Sequence, residues 1–101
     1  MIRHIVLFKF KEEAEGQTRA ENVAATRAML DALPAKIDLI LESRTFVGTD
    51  GINGANADLI LISDFESPET LAAYIDHPDH RAVGAFMGPL RESRMAIDLT
   101  V

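Results

Sequence analysis

Residues 74–80, YIDHPDH, place a tyrosine and two of the chain's three histidines close together. Imidazole titrates near neutral pH, so a histidine in a pocket can take a proton from a carbon acid and return it. In such chemistry His80 would be the base, and Tyr74 would donate a hydrogen bond to a developing enolate oxygen. The residue types and spacing alone favour a structural role instead, with Tyr74 in the core and His80 solvated in a first helical turn.

The remaining histidines offer a second kind of chemistry. The segment HPDH together with His4 contains three imidazoles and the carboxylate of Asp79, a set of groups that can bind zinc or another divalent metal. The spacing matches no standard metal signature, and His77, which precedes Pro78, is predicted to be a turn residue. We therefore predict no metal. The segment GTDGING does not lie between a strand and a helix as a phosphate loop requires, so no nucleotide or flavin cofactor is predicted.

Length and charge narrow the possible functions. The 101 residues show no break in composition, which predicts a single domain over 1–101. The net charge is −6, which makes nucleic acid and anionic membrane surfaces poor partners. The N-terminus MIRHIVLFKFKEE has too short an apolar core for a signal peptide, and no segment approaches the ~20 apolar residues of a membrane span. We therefore expect a cytoplasmic protein.

Hydrophobic patterning and turn signals predict the elements that must position these residues. The predicted strands are 3–10, 37–47, 57–65 and 94–101, and the predicted helices are 15–33, one beginning at Pro68, and one from Pro78 to about Leu90. Ser67, Pro68 and Glu69 supply an N-cap, a first-turn proline and an acid. A flexible loop, GTDGINGAN, is predicted at 48–56. This order predicts an α+β, ferredoxin-like βαββαβ fold, with a four-stranded antiparallel sheet and the helices on one face.

The first strand is largely apolar on both sides. Its alternate side chains fall into two groups, with His4, Val6, Phe8 and Phe10 on one side and Ile5, Leu7 and Lys9 on the other. Helices on one face leave the other face bare, so a second copy is expected to cover it as a homodimer that closes a shared barrel. The cavity of that barrel is expected on the face opposite the helices. Alternation alone does not assign His4 to either face.

Several segments together resemble a known family. The segments RHIVLFKFKEE, LPAKI, DFESPETLAAYIDHPDH and IDLTV occur in the order and spacing of the stress-responsive A/B barrel domain, a branch of the dimeric α+β barrel proteins. The resemblance covers nearly the whole chain and implies a homodimer of ferredoxin-like subunits. Some members are implicated in stress tolerance without a known reaction. One plant member closes a linear polyketide by an intramolecular aldol step, using a tyrosine and a histidine of this motif.

The resemblance also assigns residues. It implies that Tyr74 and His80 are catalytic, and we predict that His4, which lines the same cavity, is catalytic with them. Residues expected to contact a ligand are His77, Val6, Phe8 and Val23. Asn22 and Val23 stand where the plant enzyme carries bulky apolar residues on the first helix.

Three functions follow from these observations. The first is a dimeric barrel that binds a small hydrophobic or polyketide-like molecule, with cofactor-free acid/base catalysis of the aldol or cyclase type. The second is a non-catalytic stress-associated protein whose dimer stability is the selected property. The third is a monooxygenase of the wider superfamily, acting on quinol-type substrates or haem.

Overall fold

The computed structural model describes residues 1–48 and 56–101, and it has the predicted ferredoxin-like architecture. The strands are β1 (Ile2–Phe10), β2 (Glu13–Ala14), β3 (Gln17–Thr18), β4 (Glu42–Val47), β5 (Leu59–Phe65) and β6 (Arg91–Thr100), and the helices are α1 (Arg19–Ala32), α2 (Pro68–Asp76) and α3 (Pro78–Met87). Four strands form one antiparallel sheet in the order β4-β5-β1-β6. The fold prediction is therefore confirmed.

The second and third helices begin where the sequence predicts. The Ser67 hydroxyl accepts a hydrogen bond from the backbone N–H of Thr70, and Pro68 occupies the first turn of α2. His77 has an extended backbone and caps α3, since its Nδ1 accepts a hydrogen bond from the N–H of Asp79 at 3.1 Å. This extended residue makes a sharp corner between the two helices. Within the described ranges, no helix has the length and apolar content needed to cross a bilayer.

Two predicted boundaries were wrong. The first helix begins at Arg19 rather than residue 15, because β2 and β3 form a short hairpin whose turn holds Glu15 and Gly16 at positive φ. A capping box between Thr18 and Glu21 then starts the helix. The second long strand begins at Glu42 rather than Ile37. Residues 37–41 are a turn, and their apolar character reflects burial of Ile37 in the core.

The other differences are smaller. Strand β5 begins at Leu59, α3 ends at Met87, and β6 spans Arg91–Thr100 rather than 94–101. The loop predicted at 48–56 lies outside the described residues except at its two ends.

In the described part of the chain, the helices cover only one side of the sheet. His4, Val6, Phe8 and Phe10 of β1 are all buried on this side, which settles the face that alternation left open. The opposite side, called here the open face, exposes large apolar side chains. They are Leu7, Phe46, Met95, Ile97 and Leu99. His4 therefore lies on the helix-covered side of the sheet and not on the open face.

Candidate functional site

Four aromatic rings meet between the sheet and the helices. The ring centroids of Tyr74 and His80 are 4.5 Å apart, and those of Tyr74 and Phe65 are 4.7 Å apart. The imidazole of His4 stands edge-on to both Tyr74 and Phe65, at 6.4 Å from each. We call these four residues the ring cluster. It brings together the three residues predicted to be catalytic, but on the helix-covered side of the sheet rather than on the opposite face where the cavity was expected.

Four elements position the ring cluster. His4 lies near the start of the central strand β1, and Phe65 ends its neighbour β5. Tyr74 belongs to the last turn of α2, whereas His80 belongs to the first turn of α3. The corner at His77 and Pro78 separates these two turns, and it folds the His80 ring back towards Tyr74. The proline break in the sequence is therefore what assembles the helical half of the cluster.

The His80 imidazole has a defined orientation. Its Nδ1 lies 3.0 Å from the backbone oxygen of Ile75. A carbonyl oxygen only accepts hydrogen bonds, so Nδ1 carries a hydrogen and Nε2 is the remaining ring nitrogen. Partial burial lowers the pKa of His80, against the opposing effect of the Ile75 carbonyl. The ring is therefore neutral at neutral pH, and its Nε2 lone pair can accept a proton.

The Tyr74 side chain is almost completely buried. Burial raises the pKa of the Tyr74 phenol to about 12, with a smaller opposing effect from Arg94. The phenol therefore stays protonated over the whole neutral range and can act as a hydrogen-bond donor. A base and a hydrogen-bond donor thus lie side by side, both uncharged.

The His4 imidazole is held by a carboxylate that the sequence analysis did not identify. Its Nδ1 lies 2.6 Å from Oδ1 of Asp98 on β6, and His4 is directly opposite Asp98 in the sheet. A carboxylate oxygen accepts, so the His4 Nδ1 carries a hydrogen and Nε2 is the free ring nitrogen. Asp98 acts as a positioning residue because it fixes the rotation of a buried ring.

A second residue missed by the sequence analysis is Arg94. It faces the helix-covered side of β6, opposite Phe8. Burial dominates the pKa shifts of Tyr74 and His80, and the charge of Arg94 opposes the rise in the pKa of Tyr74 and adds slightly to the lowering of the pKa of His80. The alternation of β6 places Arg94 and Asp98 on one side of that strand. The pairing register of β6 with β1 shows that Arg94 and Asp98 lie on the same side of the sheet as His4.

The residues predicted to contact a ligand fall into three places. Val6 and Phe8 follow His4 along the covered side of β1 and are buried in the core. His77 caps α3 rather than joining the ring cluster. Val23 lines a pocket of about 550 Å³ between α1 and the end of β4, and no member of the ring cluster lines that pocket. Val23 is thus separated from the predicted catalytic residues.

A metal site would need several ligands in one place. Among residues 1–48 and 56–101, no three histidine, aspartate or glutamate side chains come close enough to hold a metal ion. His4 and His80 instead direct their Nδ1 atoms at a carboxylate and a backbone carbonyl.

The burial of Tyr74 gives a direct spectroscopic prediction, because the chain has one tyrosine and no tryptophan. We expect the near-ultraviolet tyrosinate absorbance of the folded protein to rise with a midpoint near pH 12. In denaturant the midpoint should fall to about 10, the value for a solvated phenol. Since the unfolded state ionises first, the free energy of unfolding should fall as the pH rises from about 10 towards the folded pKa. Equal midpoints in the two states would contradict the burial of the phenol.

Comparison with known proteins places this geometry in a family. The family model described as Stress responsive A/B Barrel Domain matches residues 2–101. A stress-response A/B barrel domain-containing protein of Arabidopsis thaliana is 37% identical over 100 residues, which cover 97% of this chain. The chain spans only 36% of the length of that relative.

Solved structures agree with this comparison. A dimeric protein with a ferredoxin-like fold from Bacteroides fragilis has a TM-score of 0.87 and 27% identity, with 99% of this chain and 95% of that chain covered. A dimeric ferredoxin-like protein from Thermobifida fusca has a TM-score of 0.82 and 30% identity, with coverage of 99% and 90%. The family match covers nearly every residue, and it agrees with the fold and with the segments noted in the sequence. The chain therefore belongs to the stress-responsive A/B barrel domain family.

Proposed function

We propose that the ring cluster binds a small hydrophobic or polyketide-like molecule and catalyses a cofactor-free proton transfer, of the type that closes a ring by an aldol reaction. The observation that carries this proposal is the contact between Tyr74 and a neutral, oriented His80. One residue supplies a base and the other a hydrogen-bond donor, which are the two functions that enolate chemistry needs.

The proposed reaction begins with proton transfer to His80. Its Nε2 takes a proton from a carbon between two carbonyl groups, and the electron pair of the broken C–H bond forms an enolate. The Tyr74 hydroxyl donates a hydrogen bond to the enolate oxygen, an interaction that strengthens as negative charge develops there. The enolate carbon then attacks a second carbonyl of the same molecule, and the His80 imidazolium returns its proton to the resulting alkoxide.

The surroundings of the ring cluster support an apolar ligand. Phe65 is completely buried beside Tyr74, and Val6 and Phe8 extend the apolar surface from His4 along β1. Little water reaches such a region, which strengthens hydrogen bonds to a developing charge. The His4 ring, held by Asp98, presents the second histidine of the cluster to the same ligand.

Replacing His80 by alanine separates catalysis from stability. We expect His80→Ala to slow the ring closure of a short linear poly-β-ketone at least about a hundredfold, because the base is lost. Its melting temperature should change little, since the His80 side chain is only partly buried. Product formation is followed by chromatography, and full activity of His80→Ala would contradict the assignment.

His77→Ala is the matched control. Because His77 caps α3, this variant should lose about 1 kcal/mol of stability while keeping the rate of ring closure. The two alanine variants should therefore have opposite effects on rate and on stability. If His77→Ala were as inactive as His80→Ala, the assignment of His80 as the base would be contradicted.

We also propose that two copies associate through the open face as a homodimer. The support is the row of exposed apolar side chains on β6, which includes Met95, Ile97 and Leu99. Exposed apolar groups that lie next to each other on a sheet favour burial against a partner. Two related proteins of the same fold are dimeric. A second copy presents the same apolar surface, so an isologous contact buries both.

If the dimer forms through the open face, a single charged residue introduced there should dissociate it. Sedimentation velocity at micromolar concentration should give a dimer for the wild type and a monomer for Ile97→Lys, because the lysine places a charge within an apolar contact. The matched change Ile75→Lys, at an exposed position on α2, should leave the dimer intact. A monomeric wild type would contradict the proposal.

A further inference from the structure

One corner of the open face is charged although most of the rest is apolar. The guanidinium of Arg3 donates two hydrogen bonds to the Asp64 carboxylate, at 2.9 and 3.1 Å. Next to this pair, Arg44 donates a hydrogen bond to Glu42 at 2.9 Å. We call these four residues the charged corner. Its two cations and two anions balance, so it carries no net charge.

Asp64 is the unusual member of the charged corner. Its side chain is 7% exposed although it lies on a face that no helix covers, because Arg3 lies over it. The hydrogen bonds from Arg3 hold the pKa of Asp64 below its usual range, so this carboxylate is ionised at neutral pH. Beside the pair lies a recess of about 280 Å³, which Phe46 and Ile62 also line. A second copy placed on the open face would close this recess.

The sheet register aligns part of the charged corner in one row. Arg3 lies opposite Asp64, and Asp64 lies opposite Glu42, so the three side chains cross β1, β5 and β4 at the same level. The rows further along the strands are mostly apolar, since Ile5 lies opposite Ile62 and Leu7 lies opposite Ile60. Strands β5 and β1 are the two central strands of the sheet.

The position of this row restricts how two copies can pack. A two-fold axis that runs along the strands, between β5 and β1, places the row against the same row of the second copy. Asp64 of one copy then faces Arg3 of the other, and each charge keeps an opposite charge nearby. A two-fold axis across the strands would instead place the row against the apolar row of Phe46, Ile60 and Leu7, where its charges lose water and gain no polar contact from the second copy.

We propose that the charged corner sets the orientation of the homodimer, with the Arg3–Asp64 pairs of two copies facing each other across the interface. This inference rests on the homodimer proposed above. The apolar side chains of the open face supply most of the association, and the charged corner selects one arrangement among those that the apolar surface allows.

Removing one partner of the pair tests the inference. Arg3→Met removes the guanidinium that hydrogen-bonds the buried Asp64 carboxylate in each copy, and should weaken dimerisation by a factor on the order of 100. The control Arg81→Met removes an exposed arginine on α3 that pairs with Asp76, and should leave the dissociation constant unchanged. Sedimentation equilibrium over a dilution series gives both constants. If the wild type is a dimer and Arg3→Met has the same dissociation constant, this inference alone is overturned. If the wild type is a monomer, the proposed homodimer is overturned as well.

Removing both charges tests orientation separately from affinity. The double variant Arg3→Met with Asp64→Leu should dimerise at least as tightly as the wild type, because apolar side chains replace the pair. A double variant as weak as Arg3→Met would overturn the inference. The two copies of the double variant should also pack in more than one orientation, since the Arg3–Asp64 pair that selects one arrangement is gone.

A single spin label reads out the orientation, because the chain has no native cysteine. Glu66→Cys places a label at an exposed site directly after β5, close to the charged row. In the proposed arrangement the two labels lie at the same end of the dimer and give one short, narrow distance by double electron–electron resonance. A dimer whose two-fold axis runs across the strands places the two labels at opposite ends, about 20 Å further apart. That longer distance would overturn the proposal. In the double variant the distribution should broaden, and an unchanged narrow distance would likewise contradict the role of the charged corner.

Discussion

The central strand β1 is apolar on both sides, but the helices formed by residues 1–48 and 56–101 cover one side alone. This constraint organises the rest of the molecule. Under the helices, His4 is desolvated and packed against Tyr74 and Phe65. On the other side, Ile5 and Leu7 lie in an apolar surface that a second copy can cover. The candidate site and the proposed interface therefore occupy opposite sides of one sheet.

Burial under the helices has opposite effects on two neighbouring groups. It raises the pKa of the Tyr74 phenol and lowers the pKa of the His80 imidazole, because in both cases it disfavours the charged form. The result is a hydrogen-bond donor and a base that are both neutral at the same pH. Acid/base catalysis without a cofactor depends on such a pair, since each group must begin the reaction in the form that its role requires.

Local signals predict the helical half of the site better than the half on the sheet. The proline at position 78 and the spacing of Tyr74 and His80 are visible in the sequence, and the corner between α2 and α3 follows from them. The bond between His4 and Asp98 joins the first and last strands. Their register depends on pairing between distant segments, which no local pattern specifies. Alternation along β1 likewise could not decide which side the helices cover.

The incorrect boundaries have similar physical causes. The spacing of Thr18 and Glu21 is a capping-box signal, so the start of α1 at Arg19 was present in the sequence but was outweighed by the helical spacing around it. The apolar run from Ile37 resembles a strand because a buried turn and a strand have the same composition. The charged corner was equally hidden, because Arg3 and Asp64 meet only through the pairing of β1 with β5.

The central claim is that His80 is a neutral, oriented base. NMR of the protein with nitrogen-labelled imidazole rings tests it most directly, because the nitrogen chemical shifts distinguish the two neutral tautomers from the charged ring. At neutral pH we expect His80 to carry a single hydrogen, on Nδ1, directed at the oxygen of Ile75. A charged His80 ring, or a neutral ring with its hydrogen on Nε2, would contradict it.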